Sequence, residues 1–376
     1  MFAFAAVFVC VAVLQQWKRR RIWATTCSSF ASSDLFADGG FRGVASEGTA
    51  GSFFPFLLMD EASQVAEPLA AAVLTRAQPL RCIFLGDTRQ LPPTTRLRGP
   101  VAATASSLFS RLLQQAAPPA AAAEMHNASA HRMEKGAFQT CQSGNQESEG
   151  NSFFSVFQMR LQYRCHPDLG RLAAGLFYGP FVAHGVSAAQ RLPLLPEWRG
   201  ALCLAVVRGG RETKAGRSLI NVQEASVVAR LVHHALHSKQ AAGLGSFKME
   251  FHPPRPRPED LGVICFYRAQ ADEVKRQLLR VLPKAVVDSV QVSTVDAFQG
   301  SEKEVIFLSL VRAHANMHGA AATRGGTPDF LTCPHRVCVA LTRARRQLVI
   351  VAADTFLKQQ NSLWSRVCSQ AAQIHF

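Results

Sequence analysis

Charged residues are scarce in this sequence, and acids are the scarcer kind. Only 18% of the 376 residues are charged, and 26 Asp and Glu stand against 41 Lys and Arg. The formal net charge is +15 and the sequence pI is about 9.9. This asymmetry favours a polyanionic partner such as nucleic acid. A merely solvated basic surface is the alternative.

The sequence also lacks an apolar run long enough to span a membrane comfortably. The longest one, from Met1 to Leu14, has 14 residues, whereas a spanning helix needs about 20. The positive charges of residues 18–21 follow this run, whereas a secretory signal carries its charge in front. We therefore expect a buried element or an artefactual start here, and no membrane partner.

No repeated spacing links the ten cysteines, which disfavours a disulfide framework. Several lie inside apolar runs, as Cys82 and Cys265 do. Buried thiols of a reducing compartment, the nucleus or the cytoplasm, are the expectation. Cys333, His335 and Cys338 offer three candidate zinc ligands, but no matching pair occurs elsewhere in the sequence, so a zinc site is disfavoured.

Short apolar runs rich in branched residues recur along the chain, and helix-length segments such as 224–237 and 269–281 lie between several of them. The runs are FFPFLLMDE, RCIFLGD, ALCLAVV, LGVICFY, VVDSVQVST, EVIFLSLV and QLVIVAA. They are too apolar for a solvent-facing sheet. The alternation predicts an α/β protein whose parallel sheets are covered on both faces.

Two adjacent carboxylates, Asp60 and Glu61, end one of these runs. In α/β sheets, ligands bind outside the carboxyl ends of the strands. Asp60 could therefore hold Mg²⁺ through water, and Glu61 could orient or deprotonate an attacking water. An Asp-Glu pair is equally a good N-terminal helix cap, and this alternative stays open.

A second apolar run ends in Gly86 and Asp87, with Gln90 three residues further on. Two neighbouring strand tips would then place several polar side chains on one edge of a sheet. The amide of Gln90 could contact a terminal phosphate or the attacking water.

Six motifs in a fixed order carry a family resemblance. They are DEASQ, GDTRQLPPT, LQYRCHP, GVICFYRAQ, VSTVDAFQGSEKEVIFLSLVR and VCVALTRARRQLVIV. Together they resemble the superfamily 1 helicases of the group that contains the nonsense-mediated-decay helicase and senataxin. The similarity extends from about Arg21 to Ala353, apart from an alanine-rich and polar insertion.

The resemblance implies two RecA-like domains of the P-loop NTPase fold that hold ATP and Mg²⁺ between them, while single-stranded RNA or DNA crosses both. We expect residues 1–113 to form an N-terminally incomplete first domain, 114–155 an insertion or linker, and 156–376 the second domain. The protein is expected to act as a monomer.

The resemblance also implies roles for particular residues. Asp60 and Glu61 match the Mg²⁺ and water-activating pair, Gln90 the phosphate sensor, and Arg164 and Arg343 the arginines that reach the γ-phosphate. The remaining expected nucleotide contacts are Gln64, Gly86, Asp87, Gln299, Gly300 and Glu302, the last of these at the ribose. Two alternatives stay open: a buried structural ion pair for Arg164, and a solvated basic turn for Arg343.

Residues at predicted loop tips are the candidates for binding nucleic acid. They are Thr26, Pro92, Pro93, Tyr267, Arg268, Ser293 and Thr294. Hydroxyls and backbone amides can bind phosphates without reading sequence, and the face of a tyrosine can stack a base. Each could also be an ordinary loop residue.

The sequence departs from the family pattern at its phosphate-binding loop. No Gly-Lys dipeptide occurs in the 376 residues, although the family's loop ends in Gly-Lys-Ser/Thr. We interpret residues 209–218, the nearest glycine-rich stretch, as a turn. The loop is expected before Met1, in a helicase truncated within its first domain. A non-hydrolysing module that binds nucleic acid is the competing interpretation.

Two smaller departures are cysteines. Cys165 stands where the family usually has methionine, and Cys338 where it has asparagine. The first is a tolerable apolar exchange, whereas the second removes an amide near Arg343.

Overall fold

A computed structural model describes residues 24–32, 55–94, 106–116, 138–140, 155–179, 182–237, 254–313, 330–358 and 363–374. These residues form two compact units. The first unit falls within Met1–Ala128 and Gln142–Val156, and the second within Ser129–Cys141 and Phe157–Phe376. The run Met1–Leu14 and most of the expected insertion lie outside the described residues.

Two short parallel strands are the centre of the first unit. Its elements are α1 (Cys27–Ser32), β1 (Phe56–Met59), α2 (Glu67–Ala77), β2 (Arg81–Phe84) and α3 (Leu108–Ala116). Met59 pairs with Phe84, so both strands end at the same level. A small core of Phe30, Met59 and Val73 joins the strands to α1 and α2.

The second unit is larger. Its strands are β3 (Phe138–Thr140), β4 (Phe157–Met159), β5 (Leu161–Gln162), β6 (Ala183–His184), β7 (Leu202–Val207), β8 (Thr213–Ala215), β9 (Ser218–Ile220), β10 (Leu261–Cys265), β11 (Gln291–Thr294), β12 (Lys303–Ser309), β13 (Ala344–Ala353) and β14 (Ala372–Ile374). Its helices are α4 (Pro167–Ala173), α5 (Val222–His237), α6 (Arg268–Leu278), α7 (Lys284–Ser289), α8 (Val295–Phe298), α9 (Pro334–Leu341), α10 (Asp354–Leu357) and α11 (Leu363–Cys368).

A six-stranded parallel sheet forms the core of the second unit, in the order β11-β10-β12-β13-β7-β14. One set of alternate residues, including Val263 and Phe307, packs in a cluster with α5 and α6. Residues between them in sequence, such as Ile264, Ile306 and Leu308, are also fully buried. Both faces are therefore covered, which confirms the predicted α/β class.

Helix α5 shows why its sequence is helical. Val228, Leu231, Val232 and Ala235 recur at the spacing of one helix face, and all four are buried. The predicted helix 224–237 is thus confirmed, with a start two residues earlier. No described helix is both long and apolar enough to cross a membrane.

The structure differs from the sequence prediction at two places. The run VVDSVQVST was expected to be a strand, but Lys284–Ser289 is helical and the strand starts only at Gln291. Pro283 precedes that helix, and an i,i+4 ion pair of 2.5 Å between Lys284 and Asp288 supports it. Residues 209–218, expected to be a plain turn, include β8 and the start of β9, which pair as an antiparallel hairpin.

The central strand β12 provides a test of the core. Replacing Phe307 by Ala is expected to lower the free energy of unfolding by about 3–5 kcal/mol. The reason is that its ring is fully buried and meets Trp198 edge-on, with 6.1 Å between ring centroids. Denaturant unfolding measures the change. Leu279→Ala is the control, since Leu279 is 51% exposed, and a comparable loss there would contradict this account of the core.

Candidate functional site

Asp60 and Glu61 follow β1 directly, as the sequence predicts. Asp60 is exposed, and its Oδ1 accepts the N–H of Glu61 at 2.9 Å. Glu61 adopts a left-handed conformation with φ of 51° and precedes a single 3-10 turn, Ala62–Gln64, which its side chain does not cap. The helix-cap interpretation of Glu61 is therefore wrong. Non-glycine residues in this conformation are strained and cluster at functional sites.

Each strand tip holds a carboxylate against an amide. Glu61 Oε2 accepts a hydrogen bond from Gln64 Nε2 at 2.9 Å. On the second tip, Asp87 Oδ2 accepts one from Gln90 Nε2 at 2.9 Å, and Asp87 Oδ1 accepts the N–H of Arg89 at 2.8 Å. Four of the predicted residues thus form two oriented pairs.

The two strand tips pack closely together. The N–H of Ala62 donates to the carbonyl of Leu85 at 2.7 Å, and the N–H of Asp87 donates to Ser63 Oγ at 3.4 Å. A Cβ on Gly86 would come within 2.9 Å of the Ser63 backbone nitrogen. Glycine is therefore needed for the close approach that brings both pairs to one edge of the first unit.

The donor set at this edge fits Mg²⁺ held largely by non-protein oxygens. Within the described residues, no group of three or more His, Cys, Asp or Glu is placed to hold a metal ion. Mg²⁺ commonly uses one or two carboxylates together with water and phosphate oxygens. The exposed carboxylate of Asp60 suits that use.

The nucleic-acid candidates of the first unit have mixed surroundings. Thr26 caps α1, because its Oγ1 accepts the N–H of Ser29 at 3.0 Å and donates to Ser29 Oγ at 2.8 Å. Pro92 is exposed and Pro93 is half-buried, just beyond Gln90. Thr26 therefore has a local structural role.

In the second unit, the predicted nucleotide contacts lie where β12 and β13 begin. Arg164 Nε donates to Glu302 Oε2, and its Nη1 donates to the carbonyl of Thr342 at 3.5 Å. The N–H of Lys303 donates to the carbonyl of Arg343 at 3.1 Å. The side chains of Arg164 and Glu302 are 39% and 37% exposed, so their ion pair is a surface contact and not a buried structural one.

This ion pair is one end of a chain of alternating charges. Glu302 also faces Arg345 at 3.6 Å, Arg345 reaches Glu304 at 3.2 Å, and Glu304 accepts from Arg346 at 2.7 Å. Pairs of this exposure contribute little stability each. Their effect is to orient Arg164 and Glu302.

Arg343 is the opposite case. It is only 1% exposed, and its Nη2 donates to Thr342 Oγ1 at 2.9 Å. The solvated-turn interpretation of Arg343 is therefore wrong, since the residues after it, Arg345 and Arg346, carry the surface ion pairs.

Gln299 contributes a buried side-chain amide near the start of β12. Its amide oxygen and nitrogen are both buried, and neither has a hydrogen-bond partner among the described residues. The next residue, Gly300, has φ of 79°, which favours glycine. Leaving such an amide unpaired costs about 1–3 kcal/mol. A ligand with its own donors and acceptors would satisfy it, so this residue fits a nucleotide site.

At the opposite edge of the sheet, Ser293 and Thr294 end β11, and Arg268 begins α6 in an exposed position. Thr294 also caps α8 through the N–H of Ala297 at 3.4 Å. Tyr267 was expected to stack a base, but it is 1% exposed and lies against the ring of Phe330, with 5.4 Å between centroids. The prediction that the ring of Tyr267 stacks a base is therefore wrong, because the ring is buried against Phe330.

The two cysteine departures are both buried. Burial raises the pKa of the Cys165 thiol to about 11, so it stays neutral, as an apolar exchange requires. Cys338 Sγ lies 3.1 Å from the hydroxyl of Tyr178. A tyrosine contact therefore accompanies the loss of the asparagine amide.

Sequence reasoning missed a buried polar cluster where β12 and β13 end. Glu224 is fully buried, and its Oε2 accepts the hydroxyl of Ser309 at 2.8 Å and the N–H of Val311 at 2.7 Å. The pKa of Glu224 is raised to about 8, because the effect of burial exceeds the opposing effect of its hydrogen bonds, which include one from the Ala353 backbone. The available signal was Asn221 three residues before Glu224 at a helix start, a capping pattern.

Comparison with known proteins gives consistent relatives. Two family models, both described as AAA domain, match residues 17–96 and 133–355. The chain is 32% identical over 315 residues to the 5'-3' DNA helicase ZGRF1 of Mus musculus. This alignment covers 84% of this chain and 13% of that protein. The chain is 27% identical over 326 residues to Helicase sen1 of Schizosaccharomyces pombe (85% and 16%).

A third relative is the Drosophila melanogaster Regulator of nonsense transcripts 1 homolog, 28% identical over 323 residues, covering 84% of this chain and 22% of that protein. The chain thus spans 13% to 22% of the length of these three relatives. Among solved structures, a DNA complex of the Arterivirus nonstructural protein 10 helicase matches with a TM-score of 0.33 and 15% identity, over 82% of this chain and 40% of that one.

Gly86 allows a direct test of the packed strand tips. Gly86→Ala is expected to destabilise the protein by about 1–3 kcal/mol, because a backbone atom lies where the new methyl group would be. Gly175→Ala is the control, since nothing lies within 4 Å of a Cβ there. Denaturant unfolding compares the two variants, and equal stability would contradict the close approach.

Proposed function

The chain belongs to the superfamily 1 helicases of the group that contains the nonsense-mediated-decay helicase and senataxin, and from that membership we propose that it forms an ATP-dependent motor. The motor would hydrolyse ATP to translocate on single-stranded RNA or DNA in the nucleus or the cytoplasm. RecA-like parallel sheets are the fold of this family, and the second unit has such a sheet.

The observation that carries the proposal is the pair of adjoining strand tips in the first unit. Gln64 orients the carboxylate of Glu61, and Asp87 orients the amide of Gln90. An oriented carboxylate can take the proton of an attacking water. An oriented amide can position that water or contact a terminal phosphate.

Mg²⁺, when bound through Asp60, would neutralise charge on the phosphate oxygens. Phosphoryl transfer otherwise needs positioning and positive charge more than covalent chemistry. Arg164 of the second unit suits this role, because its guanidinium is partly exposed and held by a surface carboxylate. Gln299 and Glu302 would contact the nucleotide beside it.

Single-strand binding is assigned to the carboxyl edge of the second unit's sheet. Ser293, Thr294 and the exposed Arg268 lie there, in a chain of net charge +15. Hydroxyl and guanidinium groups bind phosphates without reading sequence. This edge would therefore hold RNA or DNA by its backbone.

A second candidate is a module that binds nucleic acid without hydrolysing ATP. The observation that favours it is the lack of a Gly-Lys dipeptide in the 376 residues, because that lysine and the amides beside it hold the β and γ phosphates in this family.

Sequencing the transcript upstream of the Met1 codon, followed by phosphate-release assays, tests the motor. We expect an in-frame Gly-x-x-x-x-Gly-Lys-Ser/Thr loop, and strand-stimulated ATP hydrolysis by the protein that includes it. Glu61→Gln should abolish hydrolysis, since the amide cannot accept the water's proton. Glu67→Gln is the matched control, because Glu67 pairs with Arg111 on the surface of the same unit.

If no such loop is encoded and the protein binds single strands without releasing phosphate, the second candidate is correct. Hydrolysis that survives Glu61→Gln would contradict the role of the carboxylate and leave the motor itself in place.

Arg268 tests the proposed strand-binding edge. Arg268→Ala is expected to weaken binding of a labelled single strand several-fold and to reduce the slope of log K against log salt by about 1, as one lost phosphate contact does. Arg276→Ala, near the other end of the same helix and paired with Glu273, should change neither. Fluorescence titrations at several salt concentrations make the comparison, and similar effects of both variants would contradict the assignment.

A further inference from the structure

The turn that follows β12, residues 310–313, holds a strained residue. Val311 has φ of 73°, a left-handed conformation that a β-branched side chain strongly disfavours. Strain of this kind persists only where neighbouring groups enforce it, and it gathers at functional sites. The contacts of Val311 therefore indicate what enforces it.

Two buried side chains from the start of α5 hold both backbone groups of Val311. Its N–H donates to Glu224 Oε2 at 2.7 Å, and its carbonyl accepts from Asn221 Nδ2 at 3.1 Å. Asn221 Nδ2 also lies 3.3 Å from Glu224 Oε1. Both side chains are fully buried, so water cannot replace either contact.

A second carboxylate holds the rest of the turn. Glu212 Oε2 accepts the N–H of Ala313 at 2.8 Å and lies 3.0 Å from the Nε of Arg312, which is 2% exposed. Three consecutive residues, 311–313, are thus held by side chains. The turn has one imposed shape.

This turn lies beside the proposed strand-binding edge. Cys265 pairs with Thr294 of β11 on one side and with Ser309 of β12 on the other. Neighbouring strands are about 4.8 Å apart, so the turn starts two strand spacings from Thr294. Gln270, on the helix that Arg268 begins, donates to Ser309 Oγ at 3.1 Å and joins the same cluster.

We propose that Asn221 and Glu224 are positioning residues that hold the turn 310–313 in the shape in which it lines the single-strand-binding edge. We call these two side chains, with their hydrogen bonds to Val311, the clamp. The role of the clamp in strand binding rests on the proposed function. The two residues touch the turn and are too deeply buried to contact the strand.

Glu273 is a control that separates the positioning role of Glu224 from the general effect of changing a buried carboxylate. Glu273 is also buried, at 3% exposure, but its partners Gln277 and Arg276 lie on its own helix. In Glu224→Gln the amide oxygen can still accept from Ser309 and Val311, but the amide NH2 then faces Asn221 Nδ2, donor against donor, which disrupts the clamp. Glu273→Gln alters a buried carboxylate of the same unit without touching the turn.

The test compares Glu224→Gln, Val311→Gly, the double variant and Glu273→Gln in the whole chain. Hydrogen exchange of the peptide containing residues 310–313 and titration of labelled oligouridylate and oligothymidylate are the two readouts. Glu224→Gln is expected to speed exchange of the turn and to weaken oligonucleotide binding about fivefold, the equivalent of one lost hydrogen bond. Glu273→Gln should leave both unchanged.

The double variant decides the proposal. Glycine adopts positive φ without strain, so Val311→Gly should restore slow exchange and affinity in the presence of Glu224→Gln. If it restores neither, Glu224 has only a structural role and the proposal is wrong. Should Glu224→Gln fail to fold, Asn221→Ala removes the other half of the clamp and takes its place, alone and with Val311→Gly.

The two readouts separate two kinds of failure. A wild-type chain that binds neither oligonucleotide would overturn the proposed function, and with it the role of the clamp in binding. Loss of exchange protection in Glu224→Gln and its recovery with glycine would still decide whether the clamp exists.

Discussion

The register of β10 against its two neighbours determines which residues share an edge of the sheet. It places Thr294, Cys265 and Ser309 in one row, while the pairing of Lys303 with Ala344 aligns the opposite ends of β12 and β13. The groups expected at a triphosphate, Arg164, Glu302 and Gln299, lie at the end where strands begin. The groups expected at a polynucleotide lie where strands finish. The two proposed sites of the second unit are thereby a strand length apart.

Burial assigns different tasks to side chains of the same type. Arg164 and Arg343 come from motifs expected to serve one phosphate, yet the first is partly exposed and the second is almost fully enclosed. A guanidinium in water can exchange partners at small cost, whereas one removed from water is held by whatever surrounds it. Of the two, Arg164 is therefore better placed for the predicted contact with a phosphate, because it can exchange its surface partner at small cost.

Local pattern was sufficient to predict β1, β2, every strand of the six-stranded sheet except β14, the helices α5 and α6, and the polar groups at the strand tips. An apolar run followed by Asp-Glu or Gly-Asp has one good place in a parallel sheet, the carboxyl end of a strand. Contacts between residues distant in sequence could not be predicted from local pattern. Nothing near Tyr267 indicates that Phe330 covers its ring, and nothing near Asn221 and Glu224 indicates that they reach Val311. Residues 286–289, the first part of the run predicted to be a strand, are instead the end of a helix that begins after Pro283 and has an ion pair at helical spacing.

The strained valine also bears on how this sequence can change over generations. A glycine at position 311 would need no clamp, and Glu224 and Asn221 would then be buried polar groups with less to do, open to replacement by apolar residues. While valine remains, losing either partner leaves the turn without its enforcer. Substitution of Asn221 or Glu224 is therefore tolerated only after Val311 has been replaced by glycine. Substitutions at these three positions should accordingly be linked to one another and not independent.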